Sequence, residues 1–334
     1  METKRLSFID ALRGFGIFCI TLGHANCFMP FKKYLYSFHV PLFFFISGYL
    51  FNSKKQPLGA YIKKKTIMLL VPFAAWDILS SVIDLLTKED FKETMLSMLT
   101  VNGQLCFNSP IWFLLVLYIV DILYALIMRL NDKLYVKLTV LLVALICMVL
   151  MSHVQLIFKL NLVPYAMIFY SSGNILKDVQ QRKPVVIKTA YKVLIAVVLF
   201  ATGYVVGAYL NERIVYTKAI YGNIALCLVS AFASILFYFI LFKNVSFIGN
   251  SKLLVYLGKN SLIIMAMQYL VLRPLDYLSV QLFRYHLWVK HNTFKAILLT
   301  VFVIAFICGV NELFKYIAKK NKTLQKIGTI FGIR

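Results

Sequence analysis

The stretch SFIDALRGFGIFCITLGHANCF, residues 7–28, decides the fold, because it places Arg13 and His24 inside a run that is otherwise apolar. A charge at membrane depth is costly, so it usually faces a polar cavity or a partner. In a helix, His24 returns to within about 20° of Arg13, roughly 16 Å further along the axis. Asp10 falls near the same stripe. We therefore predict one helix face with an acid and a base at its start and an imidazole near its far end.

The rest of the chain is apolar enough for an integral membrane protein. Of its 334 residues, 61% are hydrophobic and 15% are charged. Nearly uncharged segments, long enough to cross about 30 Å of hydrocarbon as helices, recur throughout. We predict an all-α, polytopic protein with a single domain, residues 1–334, and about ten transmembrane helices. The predicted spans are 8–28, 37–52, 66–87, 111–130, 134–152, 161–176, 190–210, 219–242, 261–280 and 294–314.

The basic residues predict the orientation. With ten spans, most of the 36 Lys and Arg residues fall on the side of the two termini, which the positive-inside rule assigns to the cytoplasm. The net charge of +23 is then explained by topology and attraction to anionic lipid, so we expect no nucleic-acid partner. Arg273-Pro274 interrupts the ninth span and is a candidate end for it, with a short interfacial helix to follow.

Two histidines are the candidate catalysts. The second span contains His39, which in this topology lies near the outer face, at a depth similar to that of His24. Histidine suits general-base chemistry because its unperturbed pKa is close to neutral. Simpler interpretations stay open: histidines are common at membrane edges, Arg13 can snorkel to the cytosol, and Asp10 and Arg13 can form a local ion pair.

Other polar residues of the spans are candidate partners. Buried carboxylates need a partner, so Asp77 and Asp121 are expected to pair with Arg13, to orient an imidazole or to join helices. The cluster Lys63-Lys64-Lys65 lies at the cytoplasmic mouth of the third span. It either attracts the phosphates of a nucleotide-like donor or only satisfies the topology. The six cysteines show no metal or redox spacing, and no metal site is predicted.

Together these motifs resemble the acyltransferase 3 family of integral membrane acyltransferases, in its fucose 4-O-acetylase-like branch. The resemblance covers essentially the whole chain. It is strongest at Ile9-Asp10-Ala11-Leu12-Arg13-Gly14 with His24, and at residues 38–44 and 47–49. Residues 63–72, 110–114 and 257–262 match more weakly. Many relatives carry a histidine on the ninth span, where this sequence has Gln268, which cannot shuttle a proton near neutral pH.

The resemblance implies transfer of an acyl group, usually acetyl, from cytoplasmic acyl-CoA to a hydroxyl of a cell-surface glycan. Acetyl-CoA is then a donor substrate and no cofactor is permanently bound. The implied partners are a polysaccharide or glycan acceptor, the lipid bilayer and polysaccharide biosynthesis machinery. The implied location is the cytoplasmic membrane of a bacterium.

The resemblance also assigns roles, with His24 as the catalytic histidine and Arg13 as a CoA-binding residue. We predict the following site: catalytic His24, His39 and Asp10; donor-binding Arg13, Lys63, Lys64, Ser47, Asn260 and Ser261; acceptor-binding Trp112, Gln268 and Arg273. The connections 88–110 and 273–293 are expected to select the acceptor.

Three questions stay open at this stage. Direct attack of the acceptor hydroxyl on the thioester and an acyl-enzyme relay are both compatible with the sequence. A transporter or flippase for a glycan or lipid-linked substrate could also use buried ionic groups. A membrane subunit of a polysaccharide assembly complex, without chemistry of its own, is the third interpretation.

Overall fold

The fold is known from a computed structural model that describes residues 6–25, 27–52, 56–87, 96, 100, 108–182, 188–284 and 292–333. Within these ranges the secondary structure is helical, apart from one isolated antiparallel bridge between Val215 and Ile220. The predicted all-α class is thereby confirmed. Much of the predicted acceptor-selecting connections, 88–110 and 273–293, lies outside the described residues.

The described residues of the first half form six α-helices. They are α1 Ser7–His24, α2 Met29–Tyr49, α3 Leu58–Lys65, α4 Val71–Thr87, α5 Trp112–Leu130 and α6 Leu134–Leu150. A π-helical turn, Thr66–Leu70, joins α3 to α4, so the two run on as one helix. A 3₁₀ turn, Ser109–Ile111, leads into α5.

The described residues of the second half add five long helices and three shorter ones. Its α-helices are α7 Val163–Arg182, α8 Thr189–Val205, α9 Ile224–Asn244, α10 Ser246–Gly249, α11 Lys252–Lys259, α12 Ser261–Phe283, α13 Thr293–Ala318 and α14 Lys322–Ile330. A π-helical turn, Val206–Leu210, extends α8.

Six helices of the described residues are long and apolar enough to cross a membrane, so this is a multi-pass membrane protein. They are Leu58–Leu86, Ser109–Leu130, Ala190–Leu210, Ile224–Asn244, Ser261–Leu282 and Thr293–Ala318. Each of the ten predicted spans overlaps a helix. However, α1, α2, α6 and α7 fall short by length or apolar character. Ten crossings and cytoplasmic termini therefore stay predictions.

Two predicted boundaries near prolines differ from the structure. The helix α12 continues through Pro274 to Phe283, so the candidate end at Arg273-Pro274 was wrong. A proline removes one backbone hydrogen bond, and a membrane helix tolerates this loss where its surroundings compensate. The helix α2 begins at Met29 instead of residue 37, with Pro30 in its first turn, a position at which the missing N–H costs nothing.

Glycines set two close helix crossings that position the predicted motifs. Where α1 meets α11, a Cβ on Gly14 would lie 1.9 Å from the carbonyl oxygen of Leu254, and one on Gly258 would lie 1.8 Å from that of Asp10. Where α2 meets α7, a Cβ on Gly48 would lie 1.8 Å from the carbonyl oxygen of Tyr170. The glycines of the Arg13-Gly14 and Ser47-Gly48 motifs therefore permit backbone contact between helices.

One buried carboxylate of the bundle has the partner that the sequence required. Asp121, in α5, accepts hydrogen bonds from Lys65 at 2.8 Å and from Tyr61 at 2.6 Å, and a third from Tyr170. Lys65 is therefore committed to a structural ion pair that joins α3 to α5. This separates it from its neighbours Lys63 and Lys64, which are exposed.

Candidate active site

A cavity of about 190 Å³ lies at the end of the bundle where α1 finishes and α2 begins. We call it the His24 cavity. His24, His39 and Trp112, at the start of α5, line it together. This placement agrees with the prediction that the two imidazoles share one cavity, and it brings a predicted acceptor-binding residue beside them.

His24 is oriented by two tyrosines from other helices. Its Nδ1 is 3.0 Å from the hydroxyl of Tyr269 in α12 and 3.3 Å from that of Tyr36 in α2. Both rings meet the imidazole edge-on, with centroids 4.9 Å and 6.1 Å away. No hydrogen bond from the described residues reaches Nε2. That nitrogen is therefore the one placed for chemistry.

His39 has a tautomer defined by its own helix. Its Nδ1 contacts the carbonyl oxygen of Leu35, which can only accept, so Nδ1 carries the proton. This leaves the lone pair of Nε2 as an acceptor. The ring lies edge-on to Tyr36 at 4.9 Å, the same tyrosine that contacts His24. Tyr36 thus lies between the two imidazoles.

The connection between α8 and α9, residues 211–223, covers the cavity, and we call it the cover loop. It contributes Arg213, Tyr216 and Thr217 to the lining. The hydroxyl of Tyr216 donates to the carbonyl oxygen of Tyr36, and burial raises the pKa of Tyr216 well above its ordinary value, so this donor stays protonated.

Residues before α7 support the cover loop from outside. The buried ammonium group of Lys159 donates to the carbonyl oxygen of Thr217 at 3.0 Å. The amide of His153 donates to the carbonyl oxygen of Ala219 at 3.2 Å. Inside the loop, the side chain of Asn211 donates to the carbonyl oxygen of Tyr221 at 3.0 Å. The loop is thus tied down by polar contacts at three points.

Each tyrosine beside His24 carries an arginine on its ring. The guanidinium carbon of Arg213 lies 5.3 Å from the ring centroid of Tyr36, and that of Arg273 lies 5.3 Å from the centroid of Tyr269. Arg273 was predicted to bind the acceptor, and the structure places it next to the His24 cavity. Each of these stacks places a positive charge beside a tyrosine that contacts the imidazole.

The other predicted acceptor residue, Gln268, lies outside the cavity lining. It is fully buried, and its side-chain nitrogen donates to the carbonyl oxygen of Met265 at 3.2 Å. Its neighbour Tyr269 and the preceding Met265 are the residues of α12 that line the cavity. A role for Gln268 toward the acceptor stays a prediction.

Asp10 and Arg13 lie at the other end of α1 from His24. Asp10 is buried, and about 21 Å of helix separates it from His24, so a catalytic role cannot act through contact with that imidazole. Between the two ends, Ile17 is 1% exposed, and Ile20 lines the His24 cavity together with His24. The helix face predicted to carry Asp10, Arg13 and His24 therefore has apolar core residues between its two ends.

Asn260 braces the start of α12. Its side-chain oxygen accepts from Asn311 and from Lys315 of α13, both at 3.1 Å, and its nitrogen donates to the carbonyl oxygen of Tyr256 at 3.0 Å. These contacts give Asn260 a structural function. The donor-binding roles predicted for Asn260, Ser261 and the half-buried Ser47 stay predictions.

Lys63 and Lys64 line an open groove of about 480 Å³ between α3 and α14. Ile67 and Met68 form its apolar side, and Thr329 faces them from α14. The groove lies beyond the end of α2, at the opposite end of the bundle from the His24 cavity. Two exposed ammonium groups beside an apolar surface suit a ligand that has both phosphates and an uncharged arm.

The sequence did not single out Tyr36, Tyr269 or Arg213. Tyr36 precedes His39 by three positions and shares its helix face, a spacing that could have revealed it. Tyr269 and Arg213 come from segments far along the chain. Neither carries a local signal that links it to His24.

The fold and the site together define a helical integral membrane protein in which two histidines line one cavity. The chain belongs to the acyltransferase 3 family, since the family model described as an acyltransferase domain matches residues 6–312. It is therefore a membrane O-acyltransferase, which confirms the predicted enzyme class over the carrier and subunit interpretations. No curated protein and no solved structure matches the chain.

Proposed function

We propose that the protein transfers an acetyl, or another acyl, group from cytoplasmic acyl-CoA to a hydroxyl of a cell-surface polysaccharide or glycan precursor. The observation that supports this best is His24, which two tyrosine hydroxyls contact at Nδ1 while Nε2 remains available in a cavity. The family supplies acyl transfer as the reaction. The cavity supplies a positioned base for activating an alcohol.

In the proposed mechanism, Nε2 of His24 takes the proton from the acceptor hydroxyl. The oxygen attacks the thioester carbon, and the bond from that carbon to sulfur breaks. The imidazolium then returns the proton to the departing CoA thiolate, so that an ester and free CoA result. In the reactive tautomer Nδ1 carries a proton and donates a hydrogen bond to a tyrosine hydroxyl oxygen. This hydrogen bond strengthens as the imidazole becomes charged.

The donor is proposed to enter from the opposite end of the bundle. Lys63 and Lys64 line the groove there, and Arg13 lies near the same end of α1. Phosphates would bind to these cations, and the flexible pantetheine arm would carry the thioester toward His24. Ser47, Asn260 and Ser261 are the further residues proposed for this donor path. This arrangement requires that both termini face the cytoplasm and that α1 and α2 also cross the membrane.

The acceptor is proposed to bind in the His24 cavity, between Trp112 and Arg273, with His39 beside the reacting hydroxyl. The fucose 4-O-acetylase-like branch, a bacterial cytoplasmic membrane and association with polysaccharide biosynthesis machinery complete the proposal. The motifs around His24 and His39 support the branch.

The decisive experiment uses purified protein, labelled acetyl-CoA and a glycan extract. Wild-type protein should release free CoA and label the glycan, and His24→Ala should lose both activities. His153→Asn is the matched control, because His153 is exposed and outside the cavity, and Asn tolerates its positive φ of 64°. A His24→Ala variant that inserts normally and keeps full transfer would refute the assignment. A transporter would neither release CoA nor label the glycan.

A further inference from the structure

The charge of the His24 cavity is one-sided. No described residue that lines it carries a carboxylate, whereas Arg213 places a guanidinium in the lining. Arg273 adds a second cation beside the cavity, over the ring of Tyr269. Sugar hydroxyls alone do not call for such a charge, since neutral groups can satisfy them as donors and as acceptors.

Arg213 is placed to bind an anion. It is exposed, and it forms no ion pair with a carboxylate of the described residues. Its guanidinium carbon lies 5.3 Å from the ring centroid of Tyr36, whose hydroxyl also interacts with it, so Tyr36 engages only part of the five N–H donors at the edge of the group. A planar guanidinium offers these edge donors in pairs, a geometry that matches a carboxylate or a phosphate.

The distances connect this anion site to the reacting group. Tyr36 contacts Arg213 through its ring and His24 through its hydroxyl. One tyrosine therefore separates the cation from the base. Arg213 and His24 line the same cavity, so one ligand there can contact both side chains.

We infer that the acceptor is an acidic sugar unit, whose carboxylate or phosphate binds Arg213 while a neighbouring hydroxyl faces His24. This inference rests on the proposed function, because it names the class of acceptor that binds at the same site. It predicts that the anionic group, rather than the pattern of hydroxyls, provides most of the discrimination. A neutral acceptor leaves the guanidinium without its counterion and loses a charge-assisted pair.

The test measures binding of three probes by the thermal stabilisation of the purified full-length protein, without donor. Methyl β-D-glucuronide and methyl β-D-glucoside differ in one group, a carboxylate in place of a hydroxymethyl group, and glucose 6-phosphate carries the phosphate instead. Wild-type protein should bind at least one anionic sugar at least about ten-fold more tightly than the neutral glucoside, and higher salt should weaken this preference. Which anionic sugar is preferred distinguishes a carboxylate from a phosphate.

Variants decide whether Arg213 is responsible. Arg213→Ala should abolish the preference for the anionic sugar, and Arg213→Lys should keep part of it. Lys218→Ala removes an exposed charge from the same loop, outside the cavity lining, and should keep the full preference. The inference is overturned if no probe binds, if charged and neutral sugars bind equally, or if Arg213→Ala retains the preference.

This outcome is separable from that of the proposed function, because binding requires no acyl donor. Labelled glycan in the transfer assay without any anion preference would contradict only the inference. An Arg213-dependent preference without transfer of label would instead contradict the proposed function.

Discussion

At the scale of single residues, the contacts of His24 distinguish a positioned base from a histidine that is merely packed. Two hydroxyls meet the same nitrogen, Nδ1, and they come from helices that are far apart in the sequence. Such contacts restrict the ring to one orientation and direct Nε2 toward the cavity. The two tyrosines are therefore positioning residues for the proposed reaction.

Tyr269→Phe tests this positioning, because it removes the hydroxyl 3.0 Å from Nδ1 and keeps the ring beneath Arg273. A hydrogen bond of this kind contributes about 1 kcal/mol, so kcat for acetyl transfer should fall roughly five- to ten-fold. The KM for acetyl-CoA should change little, since the donor is proposed to enter from the other end. Steady-state release of CoA measures both constants.

The control for this variant is Tyr277→Phe, which changes a largely exposed tyrosine of the same helix and should leave kcat unchanged. Tyr36→Phe should resemble Tyr269→Phe. Wild-type kcat in the two variants at the cavity would contradict the positioning role. A loss of folded protein, read from the thermal midpoint, would indicate a structural role instead.

The sequence could predict the imidazoles but not their surroundings. His24 and His39 stand out because polar groups in apolar spans are costly, and alternating spans place both near one membrane face. Trp112 was found through a weak motif match. Arg213 belongs to a loop that folds back over the cavity. Hydropathy and periodicity contain no information about such a long-range contact.

At the scale of helices, close crossings explain why glycines accompany the functional motifs. Gly14 follows Arg13 directly, and Gly258 lies two positions before Asn260. The two glycines bring the backbones of α1 and α11 into contact. The predicted motifs are thus partly packing motifs, because their glycines permit the helix contact.

Gly14→Ala and Gly258→Ala should each lower the free energy of unfolding by about 1–3 kcal/mol or more, because each new methyl group would overlap a carbonyl oxygen of the facing helix. Gly59→Ala and Gly309→Ala are matched controls, since nothing lies within 4 Å of a Cβ at either site. The controls should be neutral or slightly stabilising, as alanine favours a helix. Thermal unfolding in detergent provides the comparison, and equal midpoints for all four variants would disprove the crossing.

Hydropathy predicted the locations of the helices more accurately than it predicted where each helix begins and ends. The apolar run of residues 261–280 identified α12, but Pro274 suggested an end that the helix does not have. The reason is energetic: one missing hydrogen bond is a local loss, whereas ending the helix inside the bilayer would expose several backbone groups. The charged Lys32 and Lys33 led to a predicted start of α2 that is too late in the sequence. Pro30 could have indicated the true start, because proline is favoured in the first turn of a helix.

At the scale of the whole molecule, the proposal requires two functional ends that face different compartments. The groove with Lys63 and Lys64 lies at one end, and the His24 cavity lies at the other. The sequence predicted this polarity from the distribution of basic residues. The membrane-crossing helices are consistent with it, but the direction of insertion requires its own measurement.

Cysteine labelling in intact cells tests the direction. Lys218 precedes α9 and Lys320 follows α13, so three helices able to cross the membrane, α9, α12 and α13, separate the two exposed positions. A membrane-impermeant maleimide should label Lys218→Cys from outside and Lys320→Cys only after permeabilisation. The protein without either substitution serves as the control, because it shows how much maleimide reacts with the native cysteines. The reverse pattern would mean inverted insertion, and the donor could not be cytoplasmic.

The cover loop has a consequence for how this enzyme can diversify. This loop has thirteen residues and connects α8 to α9. Among the described residues that line the cavity, the only guanidinium is that of Arg213, which belongs to this loop. Its exposed positions, such as Arg213, can be exchanged while the buried Tyr216 and Tyr221 keep the loop packed on the bundle. Under the proposed acceptor assignment, exchanges at these exposed positions alone are expected to change which acceptor the enzyme prefers.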